Sequence, residues 1–222
     1  MTSPQIRGSA TTANSTSTSY SCNKPTGVVQ DDLMLMLQFA DVGIGTITSG
    51  WTQLQALTTA DLRSRVGMKV AGGSEGANYA LTQTSGSDGG AIILALSDIL
   101  AGQTPVSDTS TAGSGATITT PSVTPLGGDD FEIRFVAALA VTSFTAPGGW
   151  TERADVASGS ACAGTCATRV LSSSGATGTA NFTANTTAID RHGYTITVSG
   201  KPDASGRRLL VASSVAVHRG TW

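Results

Sequence analysis

The chain has 222 residues, of which 39% are hydrophobic and only 13% are charged, with a net charge of −2 and a pI near 5.6. This length is sufficient to bury a sizeable core as one domain or as two small ones. The charge balance implies no large basic patch of the kind with which proteins neutralise phosphates, so we expect no direct nucleic-acid partner.

The beginning of the sequence is polar. Residues 1–20 contain no apolar stretch of signal-peptide length. The longest apolar runs, such as 135–141, are too short to span a bilayer. We therefore expect a soluble protein that is made in the cytosol, without a signal peptide and without membrane insertion.

Strand patterns dominate the rest of the chain. Residues 33–37 and 91–96 are almost continuously apolar, which predicts strands that are covered on both faces. Residues 131–135 and 194–198 alternate apolar and polar side chains, which predicts half-buried strands. The first part of the chain is thus expected to be the more buried one. Glycine-rich turns separate the strands, an arrangement typical of a β-sandwich.

One order of landmarks occurs twice along the chain. The first copy contains Pro25, 31–33, 50–52, 68–70, 78–79 and 91–96. The second contains Pro121, 129–131, 149–151, 168–170, 181–182 and 194–198. The spacing between matching landmarks grows only from 96 residues at the prolines to 103 at Ile93 and Ile196. A unit that is present twice argues against a solenoid and predicts two halves that share an apolar face.

The duplication sets the expected boundaries. We predict an N-terminal polar arm over 1–19, a first β-sandwich repeat over 20–101 and a Ser/Thr/Gly-rich connection over 102–115. The second repeat is predicted over 116–222, with an extra C-terminal strand at 208–217. Whether the halves form one continuous sandwich or two packed lobes is left open by the pattern.

Three cysteines, Cys22, Cys162 and Cys166, give an odd count. We interpret them as free thiols. Two alternatives involve Cys162 and Cys166, either as a local disulfide across a tight hairpin or as half of a metal site. A metal site would need more ligands, and His192 and His218 are the only histidines in the sequence. We predict no metal and no cofactor.

Paired carboxylates open matching strands at 31–32 and 129–130. One interpretation makes them Ca²⁺ ligands or a general acid and base, since hard cations prefer carboxylate oxygens and glycosidases use two such groups. The other is that each aspartate accepts hydrogen bonds from turn amides. We favour turn chemistry, because a structural device is copied whenever a fold is duplicated.

Trp51 and Trp150 occupy the same position in the two copies, each after a glycine. Aromatic faces can stack on sugars, so both are candidate carbohydrate-stacking residues. Packing at the edge of each core is the favoured interpretation.

Two motifs match catalytic signatures in spelling alone. Residues 72–76 fit a nucleophile elbow, but the residues that follow indicate a strand and not the required helix. Residues 21–24 spell Ser-x-x-Lys without its partner motifs. We therefore predict no catalytic residue and no enzymatic activity.

The landmarks together carry a family resemblance. A proline-led turn, Asp32 opening an apolar strand, Gly-Trp-Thr at 50–52 and Pro-Gly-Gly-Trp-Thr-Glu-Arg at 147–153 resemble tailed-bacteriophage structural proteins. These are described as minor tail or minor capsid proteins with jelly-roll-like β-sandwich domains. The resemblance covers roughly residues 20–199. It departs from the family pattern at 28–32, where Gly-Asp is expected, and before Gly50, where proline is missing.

The resemblance implies an all-β, jelly-roll-like sandwich of two homologous halves and a structural role in a virion. The protein would be exposed on the particle surface as a head-decoration, minor capsid or minor tail protein, after synthesis in the host cytoplasm. Its expected partners are major capsid or tail proteins and copies of itself. An alternative is a carbohydrate-binding module that attaches to a host-surface glycan through Trp51 or Trp150. A third is a hydrolase that uses Asp32 or Asp130.

Overall fold

The computed structural model describes residues 2–202 as an all-β protein. The first half contains β1 (Gln5–Ser15), β2 (Ser19–Asn23), β3 (Leu33–Ala40), β4 (Thr52–Thr58), β5 (Arg63–Val70), β6 (Asn78–Thr82) and β7 (Asp88–Ser97). The second contains β8 (Val106–Ala112), β9 (Gly115–Thr120), β10 (Phe131–Leu139), β11 (Phe144–Thr145), β12 (Thr151–Ser158), β13 (Cys162–Val170), β14 (Ala180–Ala188) and β15 (Arg191–Val198).

Each half contributes a five-stranded antiparallel sheet with the same connectivity. The first large sheet has the order β1-β7-β3-β5-β4, and the second has the order β8-β15-β10-β13-β12. The register also matches, since Leu33 pairs with Val70 and Leu96 where Phe131 pairs with Val170 and Val198. The predicted duplication is therefore confirmed in strand order and in pairing.

A smaller sheet accompanies each large one. In the first half it consists of β2 and β6, and in the second it has the order β11-β14-β9. An isolated bridge between Ile44 and Gln83 joins the loop after β3 to the region after β6, much as β11 joins β14. In both halves the last strand pairs with the first strand on one side and with the third strand on the other, which is jelly-roll winding. Each half is a jelly-roll-like sandwich.

The two large sheets pack face to face, so the molecule has four layers with the small sheets outside. Leu35 and Leu37 of β3 face the central core together with Ile133 and Phe135 of β10. Met36, which alternates with them, faces the small sheet of its own half. Strands β3 and β7 are therefore covered on both faces, as their continuous apolar sequences predict.

The alternating strands of the second half differ from the prediction. Residues 131–135 and 194–198 are predicted to be half-buried, but every residue of β10 and all of 192–198 in β15 are buried. The reason is that the small sheet covers this face too, and the polar side chains of Glu132, Arg134 and Thr195 bond to groups inside it. The first half is consequently not the more buried one.

The predicted boundaries also change. The expected polar arm over 1–19 instead holds β1, which pairs with β7 at the edge of the first large sheet. Its polar sequence reflects alternating exposed side chains, as suits an edge strand. The expected connection over 102–115 likewise holds β8. The predicted C-terminal strand at 208–217 lies outside the described residues.

Phe39 packs tightly between the two large sheets. A Cβ on Gly90 of its own sheet would lie 2.9 Å from the ring, and one on Gly164 of the facing sheet would lie 2.5 Å from it. Pairing register shows that Ser64 and His192 stand at the positions equivalent to Gly164 and Gly90. The shared core is therefore asymmetric, although the two halves have the same fold.

Candidate functional site

Trp150 and two arginines form a polar cluster on the outer face of the second large sheet. The half-buried Trp150 lies just before β12, and its ring centroid is 4.6 Å from Cζ of Arg169 and 5.4 Å from Cζ of Arg134. At these distances the guanidinium groups interact favourably with the negative face of the indole ring. The ring therefore orients both cations.

Glu132 provides the counter-charge. Its Oε2 accepts a hydrogen bond from Nε of Arg169 at 2.6 Å, and its Oε1 accepts one from Nε of Arg134 at 2.8 Å. The side chains of Glu132 and Arg134 are fully buried, whereas that of Arg169 is 35% exposed. Two arginines thus share one carboxylate, which leaves the cluster with a positive charge.

The buried guanidinium group of Arg134 has hydrogen-bond acceptors on several sides. It donates to the hydroxyls of Thr120 at 2.7 Å and Thr195 at 2.6 Å, and to the carbonyl of Gly178 at 2.7 Å. A buried ion is stable only with such a complete set of partners. Burial lowers the pKa of Arg134, while the neighbouring Glu132 acts to raise it. Arg134 therefore joins β10 to β9, to β15 and to the loop after β13.

Arg169 lies between this cluster and solvent. Its Nη2 donates to the carbonyl of Thr177 at 2.8 Å, which holds the loop between β13 and β14 against the sheet. An open pocket of about 260 Å³ adjoins Arg169. It is lined by Arg169, Ser172, Ser173, Gly175 and Thr177, among other residues. The arrangement offers a fixed cation beside hydroxyl groups that solvent can reach.

The equivalent place in the first half is built differently. Trp51 is only 6% exposed and packs edge-to-face against Tyr79, with ring centroids 5.2 Å apart. Met34 and Met36 stand where Glu132 and Arg134 stand in the second half. Trp51 is therefore a core residue, as the favoured packing interpretation expects, and its ring does not lie where it could stack on a sugar. The half-buried Trp150 stays a candidate.

Glu75 lies in the loop between β5 and β6, within the sequence that matches a nucleophile elbow. Its Oε1 accepts a hydrogen bond from the Gly72 amide at 2.7 Å and lies 3.2 Å from Nζ of Lys69. Its Oε2 accepts one from the Tyr79 hydroxyl at 3.0 Å. Although burial acts to raise the pKa of Glu75, these partners lower it below its usual value. The next element is strand β6, as the sequence indicates, so no elbow forms.

Asp32 and Asp130 are buried at the entrances of β3 and β10. Oδ2 of Asp32 accepts a hydrogen bond from the Val29 amide at 2.9 Å. Oδ2 of Asp130 accepts from the amides of Leu126 at 3.0 Å and Gly127 at 3.1 Å. Both carboxylates therefore have the turn-stabilising role that the duplicated sequence favours.

All three cysteines are free thiols. Cys162 and Cys166 lie on the same strand, β13, and not across a hairpin. Four residues of extended strand separate their Cα atoms by about 13 Å, which is too far for a disulfide. Burial raises the pKa of Cys22 and of Cys166 to about 12. Among residues 2–202, no group of three or more metal-ligating side chains comes together.

A buried network that the sequence patterns do not reveal joins the two halves. Oγ of Ser64 lies 2.6 Å from Nδ1 of His192 and 2.6 Å from the hydroxyl oxygen of Tyr194. Nε2 of His192 lies 3.3 Å from Oγ1 of Thr59. Ser64, His192 and Tyr194 have no exposed surface, so this serine and histidine do not face a substrate. The sequence offers one signal of this network. In the duplicated pattern, glycines stand at the positions equivalent to Ser64 and His192, namely Gly164 and Gly90.

Comparisons with protein-family models, with curated proteins and with solved structures gave no match to this chain. In the part of the chain that the structure describes, no helix has the length and apolar character needed to cross a membrane.

Proposed function

We propose that the chain is a structural component of a bacteriophage virion, exposed on the particle surface. It would serve as a head-decoration or minor capsid protein, or as a minor tail protein. The observation that carries this proposal is the doubled jelly-roll sandwich, a fold that recurs in viral capsid domains. The proposal includes no catalytic activity and requires no cofactor.

The contacts of the side chains that were candidates for catalysis or binding support a structural role. Asp32 and Asp130 stabilise turns, Trp51 fills a core, and Ser64 and His192 connect the two large sheets. These residues serve the fold.

The open sheet edges suit assembly. Strands β1 and β4 are the outermost strands of the first large sheet, and β8 and β12 are those of the second. No further strand of residues 2–202 pairs with these edges, whose backbone groups can pair with another chain. The partners we propose are major capsid or tail proteins and further copies of this chain.

A binding experiment with particle parts tests the proposal. The purified full chain is mixed with heads, or with tails, isolated from the phage whose genome carries its gene, and pelleted particles are assayed for the protein. We expect saturable binding to one of the two parts. Absence of binding to both, together with absence of the protein from purified virions by mass spectrometry, would contradict the proposal.

A second candidate function is a carbohydrate-binding module that attaches a particle to a host-surface glycan. The half-buried Trp150 favours it, because its ring contacts Arg169, which lines an open polar pocket. A glycan array probed with the wild-type chain and with Trp150→Phe tests this function. Loss of a glycan signal in the variant would support it, and a wild-type chain that retains no glycan would exclude it.

A further inference from the structure

The first half contains a carboxylate site that is filled by its own chain. The Glu75 carboxylate, in a side chain only 9% exposed, lies between Nζ of Lys69 and the Gly72 amide. Tyr79 donates to the second oxygen. A cation at the end of β5 and the amide of the following loop thus form a cradle for one carboxylate.

The second half keeps the cation and the loop but has no acid in the loop. Arg169 stands at the position equivalent to Lys69, since Glu132 pairs with Arg169 where Met34 pairs with Lys69. Residues 171–179 contain no aspartate or glutamate. Gly175 follows the end of β13 at the distance at which Glu75 follows the end of β5. The open pocket of about 260 Å³ adjoins Arg169 at this loop.

The charges of the two sites also differ. Lys69 and Glu75 form a balanced pair, whereas Arg134 and Arg169 share the single carboxylate of Glu132. Among residues 2–202, no other carboxylate forms an ion pair with either arginine. Nε of Arg169 binds Glu132 and Nη2 binds the loop, while Nη1 makes no hydrogen bond within the described residues. The exposed side of this guanidinium is therefore available for an anion.

We propose that this pocket binds the carboxylate of an external ligand, at the place that the Glu75 carboxylate takes in the first half. Arg169 takes the role of Lys69, and the Ser172 amide takes the role of the Gly72 amide. The ligand class is a small carboxylic acid, free or as part of an acidic sugar. This site goes beyond the virion role proposed above and does not depend on it.

An NMR titration of the full chain tests the site. Amide and indole N–H shifts are followed while sodium glucuronate, glucose or sodium acetate is added at constant ionic strength. We expect saturable shifts at residues 172–177 with glucuronate, and a dissociation constant at least ten-fold higher with glucose. The two compounds differ in the carboxylate, so equal affinities, or no saturable shift with either acid, would overturn the proposal.

The acetate arm identifies what the pocket recognises. Acetate binding within ten-fold of glucuronate would show that the carboxylate alone is sufficient. Acetate binding more than ten-fold weaker than glucuronate, at the same residues, would show that the sugar ring contributes. Both outcomes support a carboxylate site and distinguish a simple acid from an acidic sugar.

Variants in the two halves provide matched controls. Arg169→Met is expected to weaken glucuronate binding at least ten-fold, whereas the equivalent Lys69→Met leaves it unchanged. Gly175→Glu should fill the pocket with an internal carboxylate and abolish binding. A Cβ at Gly175 has its nearest neighbour 3.9 Å away, so this change is compatible with the fold. Unchanged binding by Gly175→Glu, with a native spectrum elsewhere, would overturn the proposal.

Discussion

His192 gives the folded protein a pH dependence of its own. Burial lowers the pKa of His192 to about 4, from an ordinary value of 6.5. Because the unfolded chain binds a proton at a pH where the folded chain does not, stability falls as the pH decreases from 6.5 to 4. We expect a loss of up to about 3 kcal/mol over this range, measured by urea unfolding at several pH values.

His192→Gln is the control for this prediction. The amide of glutamine can still hydrogen-bond to Ser64 but does not titrate. The carboxylates of the protein titrate in both chains, so the difference between the two pH profiles isolates the histidine. Parallel profiles for the wild type and the variant would contradict the assignment.

Glu132 and Glu75 pair with the equivalent cations Arg169 and Lys69 but differ in their surroundings, so their replacement should differ in effect. Glu132→Gln leaves Arg134 buried without a carboxylate, and we expect it to lower the free energy of unfolding by about 3–5 kcal/mol. Glu75→Gln removes the partner of the partly exposed Lys69 and should lower it by about 1 kcal/mol or less. Urea unfolding at pH 7 measures both. Equal losses would show that the buried cluster tolerates an unpaired arginine.

Single residues also show where prediction from the sequence ends. Trp150 could be selected as a site residue because it repeats the position of Trp51. Glu132 and Arg134 could not, because polar residues that alternate along a strand ordinarily face solvent. What buries them is the loop after β13 and the small sheet, which are distant in sequence. The candidate site was therefore only partly predictable.

At the scale of elements, the contact between β3 and β13 depends on a glycine, Gly164, whose lack of a side chain leaves room for Phe39. Gly164 lies 2.5 Å, measured from an ideal Cβ, from Cε1 of Phe39. We expect Gly164→Ala to lower the free energy of unfolding by about 1–3 kcal/mol, because a fully buried ring cannot move aside without strain. Phe39→Leu in the same chain should recover part of the loss. Chemical denaturation of the two single variants and the double variant measures this coupling.

Gly113→Ala is the control for this substitution. Gly113 lies in the turn between β8 and β9, where a Cβ would meet nothing within 4 Å. The change should alter the free energy of unfolding by no more than about 0.5 kcal/mol. If Gly164→Ala were equally mild, the fit of Phe39 between the sheets would not be a determinant of stability.

The elements differ in how well their sequences predict them. Central strands such as β3 and β7 are recognisable because burial on both faces requires continuous apolar side chains. The edge strands β1 and β8 are rich in Ser and Thr, and their composition resembles that of loops. Their strand structure follows from pairing with β7 and β15, which only the folded sheet supplies.

For the whole molecule, the contacts between the large sheets are reciprocal. β1 lies against β12, and β4 lies against β8, which are equivalent pairs in the two halves. Such an arrangement is that of a two-fold symmetric interface, in which the same surface is used twice. The two halves are therefore arranged as two copies of one jelly-roll sandwich would be in a symmetric dimer. The differences between Phe39 and Ala137, and between His192 and Gly90, break this symmetry in the shared core.

This arrangement predicts how the chain behaves when it is divided between Ala101 and Gly102, which are both exposed in the turn before β8. The fragments 1–101 and 102–222 each carry one apolar inner face of the central core. Co-expressed, they should form a 1:1 complex, detected by size-exclusion chromatography with light scattering. Each fragment alone should self-associate or aggregate, since burial of this face drives the packing.

The fragments 1–101 and 102–222 should pair with each other in preference to forming dimers with copies of themselves. In a dimer of the first half, Phe39 would meet Ser64 where it now meets Gly164, and the ring would collide with the added side chain. In a dimer of the second half, His192 would face Gly164 and lose its hydrogen bond to Ser64. Mixing separately refolded fragments should therefore convert like pairs into the 1:1 complex. Fragments that remain folded monomers in isolation would show that the central core is not required by either half.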